Sequence, residues 1–431
     1  MTIIQAVSLL LLFATCVTQA QSSRGVEVIL NRGAALARHG DFDRAIAEFD
    51  TAIEMNPRLA DAWYDRGLIF YFKGDLDRAL ADLNRATAFD SRHSLAHYSR
   101  GVVLQSQGET DKALADFNRA IELNPRYADA YTNRGKIRYD RGDADGALAD
   151  YNKAIKYAAE NPSLAAYLVS AVNPGLAMAH SNRGVIRHDK ADLQGALADF
   201  NRAIEIDPRL ADAYVGRAAV RRSSGDVNRA LDDLERAIAL DPQMAVAFNN
   251  RGNIRMDTGD PDGAMADYNR AIELDPRIID TYINRGNVWQ DKGRLEEAEA
   301  DLSQAIRINP RDKRAWFNRG NLRQARGDFA GAIADDTRVI DLDPRDTFAY
   351  TNRGNARRVS GDLAEAMNDY NRALAIDPRA ALALLNRGLG RLQQGREAEA
   401  QHDFDQCLRV DPTLRPRLEA IIKQMRGQLK R

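Results

Sequence analysis

The tetrapeptide Asn-Arg-Gly-Asn occurs at 250–253, 284–287, 318–321 and 352–355, each copy starting 34 residues after the one before. A carboxamide carries two N–H donors and one carbonyl acceptor, so it can bond both the N–H and the C=O of an extended peptide without regard to side chain. Asparagines three apart on a helix lie on one face, and a fixed period repeats that face along the chain. The chemistry implied is backbone recognition, or bonding between neighbouring helices; composition leaves both open. Other reactive constellations are sparse. No phosphate loop, nucleophile elbow, His-Glu-x-x-His or paired-cysteine spacing occurs, so no enzyme class is indicated. His93 and His97 stand four apart, but no third ligand lies near them in sequence and His97 occupies a packing position. No cofactor or metal is implied.

Net charge is −1, with 61 Lys+Arg against 62 Asp+Glu, and this gives no footprint for nucleic acid or an anionic membrane. Residues 1–20, MTIIQAVSLLLLFATCVTQA, carry no charge and run apolar from Ala6 to Val17 before a small residue, Ala20. They read as a secretory signal peptide, with an uncleaved N-terminal anchor as the alternative. Export to a periplasmic or extracellular space is therefore expected. Cleavage would leave Cys407 as the only thiol, a small filler where other repeats have Ala.

Numbered 1 to 34, units start at Val26, Ala60, Ser94, Ala128, Ala177, Ala211, Ala245, Ile279, Lys313, Thr347 and Ala381. Nearly all have Gly at 8, a turn at 15–16 that is often Gly-Asp, and most have Asn-Pro or Asp-Pro at 31–32. Gly ends one helix, Asp caps the next and Pro forbids continuation, so each unit is a helical hairpin. Bulky residues at 4, Ala at 20, rings or Leu at 24 and Ala at 27 recur at spacings of three and four, one buried face per helix. Arg stands at position 7 and an acid at position 23 in all eleven units, from Arg32 and Glu48 to Arg387 and Asp403. Matching acids favour pairing within or between neighbouring repeats over an arginine stripe for phosphate.

These residues make the chain resemble tetratricopeptide-repeat (TPR) proteins, whose 34-residue signature has an aromatic at 4, Gly at 8, Ala at 20, an aromatic at 24, Ala at 27 and Pro at 32. The resemblance implies an all-α, right-handed α-solenoid of eleven antiparallel helix hairpins with a C-terminal capping helix. The expected organisation is a signal peptide at 1–20, a linker at 21–25, repeats one to four at 26–161, an insertion at 162–176, repeats five to eleven at 177–414 and the cap at 415–431, where Leu418, Ile421, Ile422, Met425 and Leu429 mark one face. The insertion is expected to form a short helix, to end in an Asn-Pro-Gly turn and to divide the array into two arms. Ala218, Ser91 and Asp336 depart from the signature and are expected to loosen their joints.

The resemblance also implies that positions 2, 5, 6, 9, 12 and 13 line a concave groove. Position 6 is Asn in eight repeats: Asn31, Asn133, Asn182, Asn250, Asn284, Asn318, Asn352 and Asn386; position 9 adds Asn253, Asn287, Asn321 and Asn355. This is similar to the asparagine ladder with which some TPR superhelices hold peptide backbones. Tyr64, Leu68, Tyr71, Phe72, Tyr98 and Val102, at groove positions of repeats two and three, are the expected apolar anchors; packing is the other account of them. No repeat has the Lys at 5 that a carboxylate-clamp TPR requires. The expected function is a non-enzymatic scaffold or adaptor binding a protein or peptide segment, with no nucleic acid, no small-molecule substrate and no membrane contact after cleavage; a self-assembling spacer is the alternative.

Overall fold

A computed structural model describes residues 24–160, 174–416 and 418–422. The signal-peptide expectation, residues 162–173 of the insertion, and Met425 and Leu429 of the cap lie outside them. Among the described residues there are 22 α-helices, a short 3₁₀ turn and no strand. The helices form eleven antiparallel pairs, and within residues 24–242 and again within residues 243–422 each pair stacks on the next, the α-solenoid expected from the repeat. No described helix is long and apolar enough to cross a membrane.

Each hairpin is built as the sequence dictates. The turn glycines Gly74 and Gly361 have φ of 80° and 98°, a conformation a side chain disfavours. The following Asp75 and Asp362 accept hydrogen bonds from the N–H groups of Arg78 and Glu365, capping the second helices. At position 8 the two helices nearly touch: a Cβ on Gly252 would come within 2.6 Å of the Tyr268 ring, and one on Gly388 within 2.4 Å of the Phe404 ring. Position 8 must therefore stay small where position 24 is aromatic. Ala218 is no weak joint, because position 24 of its repeat is Leu234, and both are buried. Ser91 also sits in an ordinary turn, with Asp90 accepting from the Arg92 N–H. Only Asp336 meets the expectation of a flaw. It is fully buried where other repeats place a ring or Leu, and neither carboxyl oxygen has a hydrogen-bond partner among the described residues.

The chain forms two compact units, Met1–Pro242 and Gln243–Arg431. The expected division at the insertion is thus misplaced. Repeats four and five, on either side of it, stack directly: Arg183 donates to Asn152 at 2.7 Å, and Lys190 pairs with Asp145. These are the bonds that join uninterrupted repeats, such as Arg134 to Asn118 at 2.8 Å. The Asn-Pro-Gly turn is also corrected, since Pro174 opens the helix Pro174–Asp189, where its fixed φ suits the first turn and its missing N–H costs nothing. At the C-terminus residues 415–416 and 418–422 are helical; Leu418 is buried, and Ile421 and Ile422 pack on the core of the last repeat, as a cap requires.

Candidate functional site

Every position-7 arginine is paired with the acid at position 23 of its own repeat. From repeat two onward Nε and Nη2 hold both carboxylate oxygens in a bidentate clasp, as in Arg134–Asp150 at 2.8 and 2.7 Å and Arg387–Asp403 at 3.0 and 2.6 Å, while Arg32 meets Glu48 through Nη2 alone. Where a repeat follows another of the same unit, the remaining Nη1 reaches back to position 25 of that preceding repeat, for example from Arg285 to Asn269 at 2.7 Å and from Arg319 to the Ser303 hydroxyl at 3.0 Å. The guanidinium also lies over the position-4 ring, 5.0 Å from Trp316 for Arg319 and 5.6 Å from Tyr350 for Arg353. One side chain therefore joins both helices of a repeat to the repeat before it. These arginines are structural and leave no stripe for phosphate.

A second arginine, at position 11, was not singled out from sequence: Arg138, Arg187, Arg221, Arg255, Arg323, Arg357 and Arg391 each donate Nη1 to the same position-23 acid, at 2.7 to 3.0 Å. Its recurrence one helical turn beyond position 7 was the available signal. The histidines belong to this frame. His97 bonds Asp116 at 3.1 Å and the Ser91 carbonyl at 3.2 Å, and His180 bonds Asp199 at 3.1 Å. Burial raises Asp116 and Asp199, but the His and Arg bonds outweigh it and both titrate low, whereas at Asp82, lacking a histidine, burial wins and the carboxyl is raised. His93 accepts the Ala96 N–H and bonds Asp61, so it caps a helix. Among the described residues no cluster of three or more His, Cys, Asp or Glu could hold a metal.

The asparagines meet each other across repeats. Asn284 donates Nδ2 to Asn253 Oδ1 at 2.8 Å and to Asn249 Oδ1 at 3.3 Å; Asn352 donates to Asn321 at 2.7 Å, and Asn318 to Asn287 at 3.4 Å. In the Asn352–Asn321 pair one donor and one acceptor are consumed. The Asn352 carbonyl and the Asn321 amino group keep their capacity, and both side chains are half-buried. Asn250 accepts from Asn249, Asn355 accepts from Arg358, and half-buried Asn386 has no hydrogen-bond partner among the described residues. In the first unit the series is broken. Asn133 donates to the Tyr98 hydroxyl at 3.1 Å, Asn182 lies against Tyr151, exposed Asn31 bonds no other side chain among the described residues, and position 6 is Asp65, Ser99 or Gly216 elsewhere.

The expected apolar anchors are not an exposed patch. Tyr64, Leu68 and Tyr71 are fully buried, Tyr98 and Val102 nearly so, and half-buried Phe72 stacks on Phe42 with centroids 6.2 Å apart. Large side chains at positions 5, 9 and 12 of successive helices fill one another's gaps and form the core of the first unit. Exposed apolar residues at groove positions occur instead in the second unit: Phe348, 63% exposed, and Leu382, 39%, both at position 2, with Val246 and Val359. The apolar character of position 2 in repeats ten and eleven was legible and was passed over.

Tetratricopeptide-repeat family profiles match residues 30–94, 94–127, 128–161, 245–278, 279–312 and 354–395, together more than half of the chain. No curated protein sequence matches. Among solved structures, yeast Tom70 is similar with a TM-score of 0.45 and 17% identity over 94% of this chain and 96% of that one. YrrB, described as a TPR protein with an unusual peptide-binding site, gives 0.37 and 25% over 43% of this chain and 95% of its own. A TPR protein from Parabacteroides merdae gives 0.43 and 19% over 61% and 98%. With eleven helical hairpins, the signature residues at their contact points and the family profiles that match more than half of it, the chain belongs to the tetratricopeptide-repeat family, whose repeats mediate protein–protein interaction.

Proposed function

We propose that the second unit is a scaffold surface that binds an extended protein segment along its first helices, with the amide pairs as backbone contacts and Phe348 and Leu382 as apolar contacts. The observation that carries this reading is the capacity left over at the Asn352–Asn321 pair, one carbonyl and one amino group, the complement of a peptide unit. Pairing fixes the amides before a partner arrives, which lowers the ordering cost of binding. Each bond contributes ~0.5–1.5 kcal/mol, so apolar contacts must set choice of partner. A competing reading, a self-assembling spacer whose amides serve only the array, draws support from the same bonds. The expected export rests on residues 1–20, and Edman sequencing of the protein from its native compartment tests it.

Replacing Asn284, Asn318 and Asn352 together with Ala separates the readings. A panel of labelled, unstructured peptides bearing spaced apolar residues is titrated against the parent and the triple variant, and the oligomeric state of both is measured. The proposal expects tighter parent binding with little change in melting temperature. Equal affinity for every peptide, with a lost oligomer or a large fall in melting temperature, would establish the spacer instead.

A further inference from the structure

Most of the buried acids among the described residues are met, Asp336 being the exception in the second unit. Position-23 carboxylates are clasped by arginine, and those at turns accept backbone N–H groups. Two carboxyls of the first unit break that pattern. Asp65 stands at position 6, where eight repeats have Asn; it is 7% exposed and accepts no hydrogen bond from any described residue. Asp129, at position 2 of repeat four, is half-buried and equally unpartnered. Both positions belong to the face assigned to the groove. Burial, and then the neighbouring Asp61, hold the Asp65 carboxyl well above the usual range; desolvation pushes Asp129 up to about 6.

The groups facing them supply no compensating cation. Asp61 lies one helical turn from Asp65 and is bonded to His93, whose other ring nitrogen is engaged by the Ala96 N–H. Tyr98, which feels the charge of Asp129, receives its hydrogen bond from Asn133 and is close to Tyr71. Position 2 of this unit is acidic in four of its six repeats, at Glu27, Asp61, Asp129 and Asp212, and basic in none. In the second unit the same position carries Val246, Asp280, Arg314, Phe348 and Leu382. An uncompensated carboxylate among protein atoms is costly, and a cation brought beside it recovers much of that cost.

We propose that the first helices of the first unit form a docking surface for an extended protein segment bearing lysine or arginine side chains, with Asp65 and Asp129 as its cation acceptors. It is a site separate from the amide pairs of the second unit and does not depend on them. A cation binds the ionised carboxyl, so docking releases protons and tightens as pH rises through about 6, the range in which Asp129 ionises.

The test is calorimetric titration of the full chain with a short lysine-and-glycine peptide, at pH values spanning that range and in two buffers of different ionisation enthalpy. A glutamine-for-lysine peptide and spermidine are controls. The expected results are binding of the lysine peptide alone, proton release, and affinity rising with pH. Asp65→Asn and Asp129→Asn should each weaken it about tenfold with unchanged or higher melting temperature, because each removes an unpaired charge. The triple Asn→Ala variant should bind it as the parent does, which distinguishes failure here from failure of the amide reading. Absence of binding, binding that both aspartate variants retain, binding without proton release, or spermidine bound as tightly as the peptide would each overturn the proposal. A fall in melting temperature in both aspartate variants would also overturn it, by assigning these carboxyls to the fold.

Discussion

In repeats two and three the groove positions carry Tyr64, Leu68, Tyr71, Tyr98 and Val102, all buried, while in repeats seven to ten they carry paired asparagines, with Phe348 exposed at position 2 of repeat ten. The hairpins underneath are the same. Arg100–Asp116 in the first unit and Arg353–Asp369 in the second have equivalent bidentate geometry, both with Nη2···Oδ1 of 2.7 Å. The frame is thus indifferent to what faces the groove, and the two units have used that freedom differently. The first filled its groove positions with core in repeats two and three and left two carboxyls unmet; the second did so in repeat eleven, with Leu385, Leu389 and Leu392 buried, and kept a regular series of amides before it.

If the frame is shared, breaking it should cost the same in both units. Asp150→Ala and Asp369→Ala each leave two arginines, at positions 7 and 11, without their buried acid. We expect a loss of ~3–5 kcal/mol in either case. A repeat array need not unfold in one step, so the measurement is hydrogen exchange in the affected hairpin and its neighbours. A cost confined to one unit would mean that the frames are not equivalent.

The contrast between filled and open grooves is sharpened by truncating one residue of each. Leu68→Ala removes a fully buried side chain and should cost ~2–5 kcal/mol. Phe348→Ala removes an exposed ring and should change stability by no more than ~0.5 kcal/mol. Chemical denaturation followed by exchange in repeats two and ten compares them. Similar losses would show that Phe348 is packing after all.

Asp336 makes a third comparison, between the ring slot of repeat nine and the same slot elsewhere. Burial, then the charge of Asp335, raise its carboxyl to about 8, with Arg353 opposing and Asp369 and Asp346 reinforcing. The folded state therefore holds a proton that the unfolded chain releases near its ordinary 3.8. Stability from this group is full below that value and is lost as pH rises towards 8, by at most ~1.4 kcal/mol per pH unit. Asp336→Leu should remove the slope and stabilise repeat nine increasingly above pH 4, read from denaturation midpoints across the range; parallel profiles for parent and variant would refute it.

Much of this was readable in the chain. The hairpins, their boundaries at Gly-Asp and Asp-Pro, and the arginine–acid pairs follow from a period of 34 in which each residue type recurs at one place. What was not readable depended on distance between repeats. Whether Tyr64 and Leu68 point into a groove or close it off is decided by the sizes of their neighbours on adjacent helices, which a one-repeat alignment does not weigh. The register across the insertion was hidden for the same reason, because the Arg183–Asn152 bond spans it. Periodicity identifies equivalent positions, while packing decides which of them solvent reaches.

The smallest expected effect concerns the amides themselves. In the second unit Asn352 donates to Asn321 at 2.7 Å with both side chains half-buried, whereas Asn318 reaches exposed Asn287 at 3.4 Å. A bond of the first kind contributes ~1 kcal/mol and one of the second much less. Asn352→Ala should therefore destabilise repeat ten by about 1 kcal/mol and Asn318→Ala barely at all, measured by exchange in the two first helices. The first unit supplies the control, since Asn133 donates to the Tyr98 hydroxyl rather than to another amide. Replacing Asn133 leaves Tyr98 a hydroxyl that can still donate elsewhere, and its cost should fall between those two. If Asn318→Ala proves as costly as Asn352→Ala, the amides bond in solution as a uniform series. Their spare carbonyl and amino groups would then be engaged within the array, and the second unit would have less to offer a peptide than its geometry suggests.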